Sequence, residues 1–169
     1  MGKKSLEIAG PTVDKNIGML HRAYAFEMQA SQYFQYIANN IEGLGVLFKD
    51  FFGERAKEEQ GHAVEINDRL SELGTKPTDD PGTWAAESGM GKTESKKYLS
   101  LRSALERSLE LERFGIGLYN DLANATKDKD HGTYQLALKL LKDELEDEQT
   151  IEDTLARLEI RDVKDSVGS

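Results

Sequence analysis

The sequence predicts an all-α fold, a four-helix bundle with one long crossover. Three observations carry this reading: four stretches with apolar residues at helical spacing, only 3 Pro in 169 residues, and two short links separated by one long one. A composition of 38% apolar and 31% charged residues suits long amphipathic helices and argues against disorder. The length is that of one domain, 1–169, with enough chain to bury a single core.

The first predicted helix spans about 13–42, from Val13 to Glu42, with no Pro inside it. Glu42-Gly43-Leu44-Gly45 reads as a short turn, and a second helix follows over about 46–73, with Gly74 as its C-cap. Thr75 to about Lys92 carries Pro77, Pro81 and several Gly, so it reads as a long loop with a short helical turn near Trp84. A third helix is expected over about 93–125, a charged break KDKDHG follows, and a fourth helix covers about 133–159. Helices of this length measure about 42–48 Å at 1.5 Å per residue. The short links make antiparallel hairpins. The loop between the second and third helices reaches about 60 Å when extended, enough to travel the length of a bundle.

Several function classes are excluded by composition. With 0 Cys there is no disulfide framework, thiolate zinc site or iron–sulfur cluster, so any metal sits on oxygen and nitrogen. A net charge of −9 disfavours nucleic acid and attracts cations, and DNA binding is not indicated because Lys3 and Lys4 are too few for a basic tail. No run has the roughly 18 apolar residues of a membrane span, and MGKKSLEIAG lacks the apolar core of a signal peptide. A soluble, cytoplasmic protein is expected.

Each predicted helix carries acid on its apolar stripe. Glu27 lies between Tyr24 and Ala30 in the first, and Glu59 and His62 share a face at i, i+3 in the second. Glu112 interrupts the third, with Glu106 and Glu110 competing nearby, and Glu144 and Glu148 lie one turn apart in the fourth. All are near mid-helix, so antiparallel packing brings them to one level. Unpaired carboxylates converging there raise one another's pKa unless cations neutralise them, and two divalent ions balance four such charges. A neutral imidazole added to hard oxygens suits iron or manganese. The bland alternative for each acid is a solvated helix face, and Glu58 beside Glu59 fits it.

This pattern resembles the ferritin-like di-iron bundles, in which two helices give one Glu each and two give Glu-x-x-His. Glu27 and Glu112 resemble the single acids, and EEQGH supplies Glu59-x-x-His62. LKDELED resembles the second pair of bacterioferritins at Glu144, with Asp147 where His is expected. A second register places Glu148 in the metal position; the spacing from Glu112 favours Glu144, and the apolar stripe admits either. The resemblance implies a ferroxidase taking two Fe(II) per subunit, with O2 or H2O2 as oxidant, and a role in iron storage and oxidative-stress protection. Manganese fits the same donors. Haem is not expected, because Gln60 stands where bacterioferritins carry Met. With no room for a fifth helix in Ile160–Ser169, the resemblance points to a homo-oligomer of the smaller, dodecamer-like DPS-like cages. Tyr33, Tyr36 and Tyr119 are candidates to hydrogen-bond a metal-bound carboxylate, with amphipathic packing as the alternative, whereas His21, turned away from the Glu27 face, has no ligand role and His131 lies in the charged break. Two rivals remain: a di-iron or di-manganese peroxidase or catalase, and a metal-free helical scaffold or Dps-like DNA-protecting protein.

Overall fold

The computed structural model describes residues 3–92 and 99–167, with side chains described up to residue 159. Four long helices form the bundle: α2 (Val13–Asn40), α3 (Lys49–Glu72), α5 (Leu101–Thr126) and α6 (His131–Val167). Two short ones, α1 (Lys3–Ala9) and α4 (Trp84–Glu87), precede α2 and lie in the crossover. The hairpins α2/α3 and α5/α6 pack side by side, α2 against α5 and α3 against α6. The Glu42 amide donates to the Leu99 carbonyl at 3.1 Å, which places the end of α2 beside the start of α5. Helix α5 therefore runs antiparallel to α2 and parallel to α3, and the Leu73–Ser100 connection spans the bundle as its length required.

The helix boundaries differ from the sequence expectation in physically readable ways. The chain turns helical before Val13, through α1 and a 3-10 turn at Gly10–Thr12. The first link is a 3-10 segment over Gly43–Phe48, so α3 begins at Lys49 rather than Val46. Gly43 opens that segment at φ +60°, a conformation costly for other residues, which ends α2 at Asn40. The expected start of the third helix at Thr93 lies outside the described residues. The described helix begins at Leu101, where the Ser100 hydroxyl accepts the Ser103 amide as an N-cap. Helix α6 continues to Val167 instead of ending at Glu159, because no Gly or Pro interrupts the charged sequence before Gly168.

Gly74 ends α3 with φ +83°, its amide bonded to Ser71 and that of Thr75 to Leu70, as a C-cap glycine does. The crossover is fastened to α2. Arg22 donates to the Ser88 carbonyl at 2.8 Å, the Ser88 hydroxyl to Gln29 at 2.9 Å, and Gln29 to the Gly91 carbonyl at 2.6 Å. Trp84 is buried in this segment, as an anchor should be.

The core comes in two halves. One gathers Phe34, Ile37, Ile41, Phe52, Leu101 and Leu105 near the α2–α3 turn. The other gathers Leu20, Ile66, Leu70, Leu122 and Leu140 at the opposite end. Each fully buried side chain of this size stabilises the fold by about 1.5–3 kcal/mol. The second half is closed by a buried polar clamp. Arg69 donates to Asp130 at 2.6 Å and to the Thr133 hydroxyl at 2.9 Å, while Asn16 donates to the other Asp130 oxygen at 3.2 Å. Asp130 also caps α6 by accepting the Thr133 amide at 3.1 Å. Burial works against its charge, but the bonds from Thr133, together with Arg69 and Asn16, hold its pKa below the usual value. Residues of three long helices thus meet at one aspartate.

Arg69→Ala is expected to lower the free energy of unfolding by about 3–5 kcal/mol, because it strands a buried carboxylate. Glu72→Ala, which removes the more exposed partner of the same arginine, should cost less than about 1 kcal/mol. Urea unfolding of both variants followed by circular dichroism checks the contrast.

Candidate metal centre

Between the two apolar halves lies a layer of buried charge. Glu27 comes from α2, Glu59 and His62 from α3, Glu112 from α5 and Glu144 from α6, each no more than 3% exposed. Their side chains point inward because each sits on the stripe that buries its helix: Phe26, Ala30 and Phe34 beside Glu27, and Ala56, Ala63 and Ile66 beside Glu59 and His62. One ligand atom from each of Glu27, Glu59, His62 and Glu144 lies within 4.8 Å of the others. His62 Nδ1 is 3.3 Å from Glu144, 3.4 Å from Glu59 and 3.7 Å from Glu27. Glu112 adjoins this group, with Glu59 and Glu144 as its neighbours.

Many of these atoms have no hydrogen-bond partner although water cannot reach them. Among the described residues, Glu27 Oε2, Glu59 Oε2, His62 Nδ1 and both oxygens of Glu112 and of Glu144 are in this position. An orphaned buried carboxylate oxygen is expensive, and several at one level fit a cation cluster far better than they fit an apolar core. The donor set, oxygens plus one imidazole nitrogen, suits iron and manganese.

Electrostatics agrees with the geometry. Burial, then the charge of Glu59, pushes Glu27 well above the carboxylate range, only partly offset by His62. Burial with Glu59 and Glu27 does the same to Glu144, and burial with Glu59 raises Glu112 to about 8. Burial alone pulls His62 down, but the carboxylates of Glu144, Glu27 and Glu59 close to its ring outweigh it and raise it far above its ordinary value. Without a cation, the layer can be kept in the core only by holding protons.

The remaining sequence candidates stand around this group. Asp147 is 5% exposed and its carboxylate is paired with Arg55. Glu148 points toward the surface and accepts from Arg113 at 2.7 Å. The Tyr119 hydroxyl donates to Glu27. Tyr33 and Tyr36 instead stack on each other, with Arg107 over the Tyr33 ring. His131 opens α6 on the surface, and His21 lines a separate surface pocket with Gly18, Arg22, Thr78 and Glu87.

Sequence reasoning did not single out three contributors. Arg55 precedes Glu59 by one turn, so its position relative to the acid was readable, but its pairing across to α6 was not. Asp143 lies 3.6 Å from His62 Nε2 and also pairs with Lys139, which places a carboxylate near the outer nitrogen of the ring. Gly115 faces the layer from α5: a Cβ there would lie 2.6 Å from Glu144 and 3.0 Å from Phe26. A glycine in the interior of a helix sacrifices about 1 kcal/mol relative to Ala, and here it leaves space for a carboxylate.

Two outcomes follow from this geometry. Gly115→Ala should displace the Glu144 carboxylate and weaken divalent-metal uptake by about tenfold, with little change in helix content; calorimetric titration with Mn2+ and circular dichroism measure both. In the metal-free protein, Glu27, Glu112 and Glu144 hold protons that the unfolded chain releases above about pH 4.3, and His62 keeps one released above about pH 6.5. The native state binds more protons across that interval, so its melting temperature should fall as pH rises from about 4.5 to about 8. Added Mn2+ should reverse the fall, most strongly at the upper end; differential scanning calorimetry checks this.

Comparison with known proteins agrees with this architecture. A family model described as a ferritin-like domain matches residues 17–160. A DNA protection during starvation protein of Pyrococcus furiosus is 29% identical over 154 residues, covering 90% of this chain and 83% of that protein. The dodecameric thioferritin of Bacteroides fragilis, a bacterioferritin-related protein, superposes with a TM-score of 0.88 at 31% identity, with 98% of each chain covered. A ferritin-like diiron-carboxylate protein of Bacillus anthracis shares the fold, with a TM-score of 0.71 and 22% identity over 86% of this chain and 99% of that one. With the bundle, the crossover and the inward-facing acids already in place, these matches settle the affiliation: the chain belongs to the ferritin-like family.

Proposed function

We propose that the chain is a ferroxidase: it takes Fe(II) into the buried layer and oxidises it there. The observation that carries the reading is the set of orphaned buried donors, Glu27, Glu59, His62, Glu112 and Glu144, contributed by all four long helices at one level. Two ferrous ions would bring four positive charges to four carboxylates, so binding would expel protons and discharge the repulsion that raises the pKa values of Glu27, Glu112 and Glu144. Each ion surrenders one electron. Together they reduce O2 to H2O2, or H2O2 to two molecules of water, with two protons consumed in either case.

The protein's own residues have distinct tasks in this reading. Glu27, Glu59, His62, Glu112 and Glu144 would hold the ions, with Glu59 and Glu144 adjoining both Glu27 and Glu112. His62 would supply nitrogen, with the Asp143 carboxylate 3.6 Å from its opposite nitrogen. Tyr119 holds the Glu27 carboxylate through its hydroxyl and adds no charge. The two apolar halves keep bulk water from the layer. Ferric product leaving such sites would accumulate as mineral if the subunits close into a shell. The dodecameric state of the Bacteroides fragilis protein supports a cage of that kind here, and with it a role in iron storage and in limiting peroxide damage.

Anaerobic titration of the apoprotein with Fe(II) is expected to saturate near two ions per chain, and admitting O2 should produce ferric absorbance. A Glu59→Ala, His62→Ala double variant is expected to lose at least about 100-fold in initial oxidation rate. Oxidation as fast as wild type in that variant would refute the assignment. Peroxide consumption without iron retention, measured on the same samples, would point to a peroxidase instead.

A further inference from the structure

We propose that the end of the bundle at the α2–α3 link is where one copy of this chain docks on the next, an apolar ridge at Leu44 and Leu47 entering a cleft between the same link, the start of α5 and α6 near Leu158. The inference rests on the shell in the ferroxidase reading above and supplies it with a contact surface and an occupant, a second copy of the chain.

The ridge is made by the 3-10 segment Gly43–Phe48. Such a helix repeats every three residues, so Leu44 and Leu47 stand in line on one face. Gly45 is buried on the opposite side, pressed so closely on Ile41 that a Cβ there would collide with the Ile41 side chain. The segment therefore lies flat on the core through its glycine and turns its leucines outward. Leu44 is 75% exposed, Leu47 81% and Val46 50%, and of the seven large apolar side chains exposed among the described residues, three lie in this segment. Apolar surface concentrated in this way on a highly charged chain marks a place of contact.

Beside the ridge opens a cleft of about 290 Å3, with Leu44 as the wall the two share. Leu101 and Leu158 give the cleft apolar sides, and both are packed into the core, so its shape is fixed before anything enters. Charge selects the occupant. At −9, copies of the chain repel one another over most of their surface. Around ridge and cleft the signs are mixed, Glu42, Asp50 and Glu159 against Lys49, Arg102 and Arg157. That balance removes the repulsion from a second copy, lets its charges pair across the rim, and offers no attraction to nucleic acid or a strongly charged peptide. Ridge and cleft are different surfaces of one end, so each copy gives its ridge to one neighbour and receives another's. Head-to-tail contacts of this kind close into rings, a unit from which a shell can be assembled.

Analytical ultracentrifugation of the full chain over a concentration series tests the inference. Wild type should sediment as a multi-subunit particle. Leu44→Lys combined with Leu47→Lys should raise the concentration at half-assembly at least about tenfold and give a smaller species of unchanged helix content. Leu158→Arg, on the cleft, should do the same. Mixed at a concentration where neither assembles alone, the two variant proteins should form a complex, because one keeps its cleft and the other its ridge. Val64→Lys, at an exposed apolar position on α3, should keep the wild-type mass. Wild-type assembly by the Leu44, Leu47 variant, equal loss from Val64→Lys, or a mixture that forms nothing would overturn the proposal and leave the shell standing. A wild type that stays monomeric throughout would overturn the proposal and the shell together, and calorimetric Mn2+ uptake by that monomer reads the metal centre separately. Should the lysine pair not fold, Leu44→Ser with Leu47→Ser, which removes the apolar surface without adding charge, carries the same test with the same outcomes.

Discussion

Mutual repulsion among buried carboxylates is the constraint around which this molecule is organised. Glu27, Glu59, Glu112 and Glu144 would each be costly alone in a helical core, and together they form a buried layer of like charge. Four long helices are needed to hold them, since each supplies one acid and no helix could present all of them at a single level. The crossover follows from the same requirement. A chain limited to short links would run α5 antiparallel to α3, whereas the path through α4 lets the two run in the same direction and sets Glu112 level with Glu59.

Positive charge is placed around this layer with discrimination. Arg55 is drawn in as far as Asp147, Arg113 is kept at the surface by Glu148 and Glu152, and Arg69 is committed to Asp130 at the far end of the core. Within the layer, His62 is the one basic side chain among the described residues, and it is a cation that a metal can replace. The arrangement leaves negative charge uncompensated where an ion would be useful and compensates it elsewhere.

The sequence was informative where a residue type contradicted its own helix face. Glu27, Glu59, His62, Glu112 and Glu144 interrupt apolar stripes; the structure buries all five and brings Glu27, Glu59, His62 and Glu144 within 4.8 Å of one another. The choice between Glu144 and Glu148 turned on a difference of one helical turn; periodicity allows both, and only the packing against α5 sends Glu148 outward to Arg113. Asp147 was named only because the family resemblance expects a His there, and its pairing was not readable, because its partner Arg55 belongs to another helix and the pairing depends on register between the two. Gly115 carried no warning either, since a helical glycine looks like a weak point until the side chain facing it is known. Helix ends were the least legible. The 3-10 segment at Gly43–Phe48 and the continuation of α6 depend on local backbone geometry and on the absence of a stop, neither of which leaves a periodic mark.

The division of the apolar interior has a consequence for how such a chain can change over generations. Phe34, Ile37 and Phe52 touch one another on one side of the acids, and Leu20, Ile66 and Leu140 on the other, so the two compartments communicate through a polar floor and not through continuous packing. Volume lost or gained in one compartment has little leverage on the other. Lineages are therefore free to remodel either end of the molecule, its links and its outer contacts, in separate small steps, with the charged floor as the shared boundary that neither end can move.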